Sequence, residues 1–145
     1  MSGIHLHIIA EGQTEQKFVL KVLAPHLAQH QVFADARCIL TSKDKHTGRQ
    51  SRGGLPNYIK AKNDIQRWLK EDSRKNCRFS TMFDLYALPN DFPDFAQAKS
   101  YSDPYQKISC LEAALVQDIG DSRFIPYIQL HEFEALILAD ARKLD

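Results

Sequence analysis

Apolar residues recur along this chain in two alternating rhythms, one suited to strands and one to helices. Ile4, Leu6 and Ile8 alternate with His5 and His7 before the run turns wholly apolar at Ile9 and Ala10, which predicts a strand entering a buried parallel sheet. From Thr14, a residue type suited to cap a helix, Phe18, Val19, Val22, Leu23 and Leu27 recur with helical spacing and predict a helix covering one sheet face. Pro25 removes a backbone donor inside that helix, so a kink or restart is expected near Ala24. Val32 to Leu40 predicts the second strand of a βαβ unit.

Tyr58, Ala61, Ile65, Trp68 and Leu69 then form the apolar stripe of a helix over residues 57–72, with Pro56 at its start. The stripe, Trp68 included, is expected in the core rather than as a platform for nucleobases. Phe79 to Leu88 predicts a third strand. Asp103 followed by Pro104 opens another helix, whose stripe of Ile108, Leu111, Leu115 and Ile119 runs to a stop at Gly120. Phe124 to Leu130 predicts a fourth strand, which Pro126 confines to an edge or a bulge. A last helix is expected to follow His131 and run almost to Asp145.

Strands alternating with helices predict an α/β domain over 1–145, a Rossmann-like parallel sheet of about four strands flanked by helices. Composition narrows the partners. A net charge of +1, from 19 basic and 18 acidic residues, excludes a protein whose whole surface is a basic field, so any nucleic acid must be met locally. Three widely spaced cysteines, Cys38, Cys77 and Cys110, suit reduced thiols in a cytoplasmic protein better than a disulfide framework. No apolar run approaches a membrane span, so no membrane association is expected.

The chemistry-bearing residues collect at predicted strand ends. Glu11 follows strand one through Gly12, which can take positive φ and admits close approach, and Glu15 lies one helical turn further on. Glu15 has a second reading, as an acid favoured by the helix dipole. Asp84 lies in an apolar strand, where a carboxylate must be paired, hydrogen-bonded, metal-bound or at the strand's exit. Asp91 follows in a proline- and aromatic-rich lip with Phe92 and Phe95, and His131, Glu132 and Glu134 mark the last junction. In a parallel sheet these ends share one edge, which concentrates oxygen ligands for Mg2+ or Mn2+. His5 and His7 share a face that can chelate, but they stand at the other end of the strand. Between Thr41 and Pro56, Lys43, Lys45, Arg49 and Arg52 make a basic loop, either a phosphate-binding arm or a solvated loop. No glycine-rich nucleotide fingerprint follows strand one.

The set Glu11-Gly12-x-Thr14-Glu15, Met82-x-Asp84-x-Tyr86-x-Leu88-Pro89-x-Asp91-Phe92-Pro93 and His131-Glu132-Phe133-Glu134-Ala135 resembles an uncharacterised bacterial family of Toprim-like proteins. The resemblance spans nearly the whole chain. It implies a domain in which an acid after strand one and acids after strand three hold divalent metal for phosphodiester chemistry. Glu11 would be the Toprim glutamate and Asp84 the first aspartate after strand three. Tyr86 stands where the broader pattern has a second acid, so the expectation is either that Asp91 or Glu132 supplies the missing ligand or that catalysis has been lost. The family tends to run longer, so further site residues are expected beyond Asp145.

Two functions follow as expectations. The first is a Mg- or Mn-dependent nuclease, with Glu11 and Asp84 as catalytic ligands, Glu15, Asp91 and Glu132 as further metal ligands, His131 and Glu134 nearby, and Lys43, Lys45, Arg49 and Arg52 on nucleic acid. An ATPase partner in a defence or DNA-processing system is expected on the same resemblance. The alternative is a non-catalytic Toprim-like module that binds an ATPase or nucleic acid, with the basic loop and the lip around Phe92 and Phe95 as contact surfaces.

Overall fold

The computed structural model describes residues 3–39, 55 and 57–131. Four parallel strands, β1 (Ile4–Ala10), β2 (Val32–Cys38), β3 (Cys77–Asp84) and β4 (Ile128–Gln129), lie in the order β2-β1-β3-β4. Helical segments flank both faces, so the chain is an α/β domain of Rossmann-like, Toprim-like architecture.

The pleat of β1 divides the interior in two. Ile8 faces a small cluster with Val19, Ala36 and Met82, whereas Ile9 joins the main core with Trp68, Phe79, Phe83 and Leu115. The segment from β1 to β2 therefore covers one face, and α3 (Tyr58–Glu71) and α5 (Pro104–Ile119) cover the other. Phe79, Phe83, Ile9, Ile65, Leu111 and Leu115 are fully buried. Truncating one such side chain to Ala typically costs about 2–5 kcal/mol.

The α3 stripe is buried at all five expected positions, Tyr58, Ala61, Ile65, Trp68 and Leu69. Asn57 caps it by accepting from the Lys60 N–H at 2.9 Å. Pro56 lies outside the described residues. Asp103 caps α5 by accepting from Tyr105 N–H at 2.9 Å, and Gly120 ends it at φ 72°.

Several expectations need correction. The first helix is not capped by Thr14, which lies inside α1 (Gln13–Phe18); its cap is Gly12. Between α1 and α2 (Ala24–Ala28) the chain takes a π-helical turn over Val19–Leu23, with Ala24 N–H donating to Val19. Pro25 cannot donate, and the wider turn accommodates that missing bond just before it. The turn also shifts the helical phase, which leaves Val22 53% exposed instead of on the sheet.

The second strand stops at Cys38, short of the predicted Leu40. The third ends at Asp84, where a 3₁₀ turn, Leu85–Ala87, replaces its predicted continuation to Leu88. The predicted strand Phe124–Leu130 is broken into a bridge from Phe79 to Phe124 and the two-residue β4. Pro126 cannot join the ladder, and the Thr81 hydroxyl fills the gap. It donates to Tyr127 O at 2.9 Å and accepts from Tyr127 N–H at 3.0 Å. The lip also contains a short helix, α4 (Phe95–Lys99).

Candidate metal centre at the carboxyl edge

The chain leaves β1 for β2 on one side of it and returns to β3 on the other, with the two connections on opposite faces. That reversal makes the β1/β3 boundary a topological switch point. In open α/β sheets the crevice beyond the strand ends at such a point is where ligands bind.

Glu11 follows β1 and Asp84 is the last residue of β3. Ala10 pairs with Met82, so Glu11 leaves the sheet at the level of Phe83 and Asp84 follows one residue on, at the same edge. Glu15, in the first turn of α1, comes round to meet them. One carboxylate oxygen from each of Glu11, Glu15 and Asp84 lies within 4.8 Å of the others. All three residues are half-buried, and Glu11 Oε1 and Asp84 Oδ1 are turned away from solvent.

Gly12 serves this cluster differently than expected. Its φ of −152° and ψ of −176° are extended backbone open to any residue, so positive φ is not what it supplies. A Cβ there would stand 3.3 Å from Glu15 Oε2, and the glycine leaves room for that carboxylate.

Polar residues not singled out by the motifs surround the group. Gln129 pairs in register with Asp84 at the β3/β4 end, is 5% exposed, and accepts from the Tyr127 hydroxyl at 2.6 Å. Glu112 Oε2 on α5 accepts from Ile128 N–H at 3.0 Å. Burial pushes the Glu112 carboxyl up from its ordinary range, and the Ile128 N–H works against that. Burial raises the Tyr127 phenol as well, reinforced by the negative charges of Glu112 and Asp84. Burial and then the Glu15 carboxylate raise the Cys38 thiol, which donates to Gln16 Oε1 at 3.1 Å. A carboxylate flanking an apolar helical stripe was the one available signal for Glu112.

Other expected site residues lie elsewhere. Asp91 is outside the group, because both its oxygens accept from Tyr58 N–H, at 3.0 and 3.1 Å, at the start of α3. Phe92 does not form an exposed lip; it is 2% exposed and packs edge-on against Tyr58 with ring centres 5.2 Å apart. Phe95 is half-buried against the core. His131 is exposed. Glu132, Glu134, Lys43, Lys45, Arg49 and Arg52 lie outside the described residues.

A second set of metal-capable side chains, His7, Asp72 and Cys77, sits toward the amino end of the sheet. His7 is not at the strand's tip but buried at its middle, with ring centres 4.5 Å from Trp68 and 4.9 Å from Phe79. Its Nε2 meets Asp72 Oδ2 at 2.7 Å. The Arg74 guanidinium grips both Asp72 oxygens, at 2.8 and 2.6 Å, and holds that carboxyl far below the usual range. Burial raises the Cys77 thiol. With Asp72 already neutralised and the thiol kept protonated, this set ties α3 to the sheet. His5 stacks on Phe33 at 5.9 Å and is no part of it.

Residues 10–145 match the family described as a domain of unknown function, DUF4276. The chain belongs to that family. No curated protein matches the chain, nor does any solved structure. The match to the DUF4276 family begins at the last residue of β1, so Glu11, Glu15 and Asp84 all fall inside it. No helix among the described residues of this DUF4276 chain is long and apolar enough to cross a membrane.

Proposed function

We propose that this DUF4276 domain is a Mg2+- or Mn2+-dependent phosphodiesterase of Toprim type that cleaves nucleic acid, acting in the bacterial cytoplasm beside an ATPase in a DNA-processing or defence system. The observation that supports it is the convergence of Glu11, Glu15 and Asp84 within 4.8 Å at the β1/β3 switch point. Three hard oxygen donors with no nitrogen or sulfur among them fit Mg2+ or Mn2+ rather than zinc or copper.

Glu11, Glu15 and Asp84 would hold the ion. The chemistry that such an ion would supply there is polarisation of a phosphoryl oxygen and activation of water. The chain's own contribution is position. Glu11 and Asp84 project from the rigid ends of adjacent strands, and Glu15 is delivered by the first turn of α1. One of these carboxylates takes the proton of the attacking water. Lys43, Lys45, Arg49 and Arg52 supply the cations that hold the phosphate backbone in this reading.

The test is cleavage of DNA and RNA by purified protein with Mg2+ or Mn2+, compared with Glu11→Gln and Asp84→Asn. Each substitution should lower the rate at least about a hundredfold. Failure of the wild type to cleave, alone and with its natural neighbours present, refutes the reading. Tyr86 favours a second one. It occupies the position of the second Toprim acid yet is 72% exposed and contributes no carboxylate. A complex with a partner ATPase that keeps full biological activity in both acid variants would establish the non-catalytic module instead.

A further inference from the structure

A small cleft lies along the turn that follows Asp84. Its volume is about 170 Å3, its floor is Leu85, Leu88 and Leu111, and Lys99 and Lys107 stand at its rim with Tyr86. Leu85 and Tyr86 are the two residues after Asp84, so the cleft continues the same strand end. Leu85 and Leu88 are buried on either side of Tyr86, while the tyrosine ring is 72% exposed. The 3₁₀ turn therefore presents an aromatic face that contributes little to the core. Lys99 Nζ lies 4.9 Å from the Phe95 ring centre, and neither Lys99 nor Lys107 is held by a carboxylate among the described residues.

We infer that this cleft is a subsite for one unpaired nucleobase, stacked on Tyr86 with its neighbouring phosphates against Lys99 and Lys107, so that the substrate is single-stranded at the position next to the scissile phosphate. The inference rests on the phosphodiester reading above. Three carboxylates repel a polyanion, so a chain brought to them needs cations close by, and the two rim lysines supply them. The cleft is smaller than the ~300–1,000 Å3 pockets that enclose a whole drug-sized ligand, and it suits a single planar ring. Within a duplex both faces of a base are already stacked. An exposed aromatic face can take only an unpaired base.

The test is fluorescence anisotropy of a dye-labelled oligothymidylate and of a blunt duplex, with Ca2+ in place of Mg2+ so that binding is read without turnover. Tyr86→Ala should weaken single-strand binding roughly five- to a hundredfold and leave duplex binding unchanged, while Tyr86→Phe retains wild-type affinity. Lys99→Gln combined with Lys107→Gln should lower the salt slope by roughly 0.7 for each phosphate that the lysines no longer neutralise. Tyr86, Lys99 and Lys107 are all wholly or partly exposed, and equal melting temperatures will establish that the variants fold. Wild-type affinity in Tyr86→Ala, equal losses on both substrates, or no single-strand binding by the wild type overturns the subsite. If Tyr86→Ala binds normally while Glu11→Gln abolishes cleavage, the subsite fails and the phosphodiesterase stands. If Tyr86→Ala loses affinity but no protein cleaves, the subsite stands and the catalytic reading fails.

Discussion

Thr81→Val tests whether a side-chain hydroxyl replaces strand pairing beside the acidic centre. Thr81 is 2% exposed, and its Oγ1 makes two bonds to the backbone of Tyr127, at 2.9 and 3.0 Å. Valine keeps the shape and deletes both bonds, leaving one N–H and one C=O behind. A typical bond contributes about 1 kcal/mol net, and a stranded partner costs about 1–3 kcal/mol. Tyr127 is partly exposed and water can reach it, so the expected loss is about 2–3 kcal/mol. At a urea slope near 2 kcal/mol/M this lowers the midpoint by about 1–1.5 M with no change in slope. Thr81→Ser keeps the hydroxyl and loses only a methyl group, so it should lose about 1 kcal/mol. Amide exchange at Tyr127, whose N–H donates to Thr81 Oγ1, should accelerate in the valine variant alone. Equal midpoints for the valine and serine variants, or a valine midpoint within about 0.3 M of wild type, would refute the reasoning.

Divalent cation should stabilise the protein. At tenfold excess over Kd the gain is about 1.4 kcal/mol, which for a chain of 145 residues moves the melting temperature by about 5 °C, and Asp84→Asn should abolish that shift in differential scanning fluorimetry. Acid should destabilise it. Asp72 is held low by Arg74, Asp118 by the Tyr58 hydroxyl and then Lys62, and Asp121 by Arg123, so each contributes stability that is complete above the unfolded carboxylate pKa and lost as pH falls through the folded one. The contribution of these three carboxylates, read as the urea-midpoint difference between wild type and the Asp72→Asn, Asp118→Asn and Asp121→Asn variants, should therefore hold through neutral pH and shrink from about pH 4 downward, and a difference that does not shrink on acidification would contradict the three pairings. Gly12→Ala should fold normally because its backbone angles suit alanine, yet bind Mn2+ more weakly because the new Cβ displaces Glu15; unchanged Mn2+ affinity by calorimetry would show that the 3.3 Å approach is inconsequential.

Where local periodicity and end signals coincide, the fold was legible in the chain. Tyr58, Ala61, Ile65, Trp68 and Leu69 are buried as their spacing requires, and Asp103-Pro104 and Gly120 bound α5 where their chemistry places them. Glu11 and Asp84 could be set on one edge because parallel strands put their carboxyl ends together. What the sequence hid depends on distant partners. Asp91 looks like a site acid, but Tyr58, far away in the chain, uses it to satisfy a helical N–H. Phe92 looks like a loop aromatic, and the ring of that same Tyr58 makes it core. Val22 fell off its face because the π turn ahead of Pro25 altered the phase, and no fixed periodicity carries that. Gln129 acquires meaning only through its register with Asp84.

The ends of the other strands explain why the acidic group occupies one place. At the end of β2, the Cys38 thiol is engaged by Gln16, whose Nε2 also donates to Ala36 O at 3.0 Å, so the edge strand is pinned to α1. At β4, the Tyr127 hydroxyl donates to Gln129 and Glu112 accepts from Ile128 N–H. At the opposite end of the sheet, Asp72 answers Arg74, and Arg123 donates to Leu69 O and to Asp121. Each of these polar groups closes a backbone or charge requirement of the fold. Glu11, Glu15 and Asp84 by contrast bring one carboxylate oxygen each within 4.8 Å of the others. Asp72, Asp91, Glu112 and Asp121 are spread over N–H groups and guanidiniums, whereas Glu11, Glu15 and Asp84 converge at the β1/β3 switch point, and that convergence is the geometry on which the proposed cation site rests.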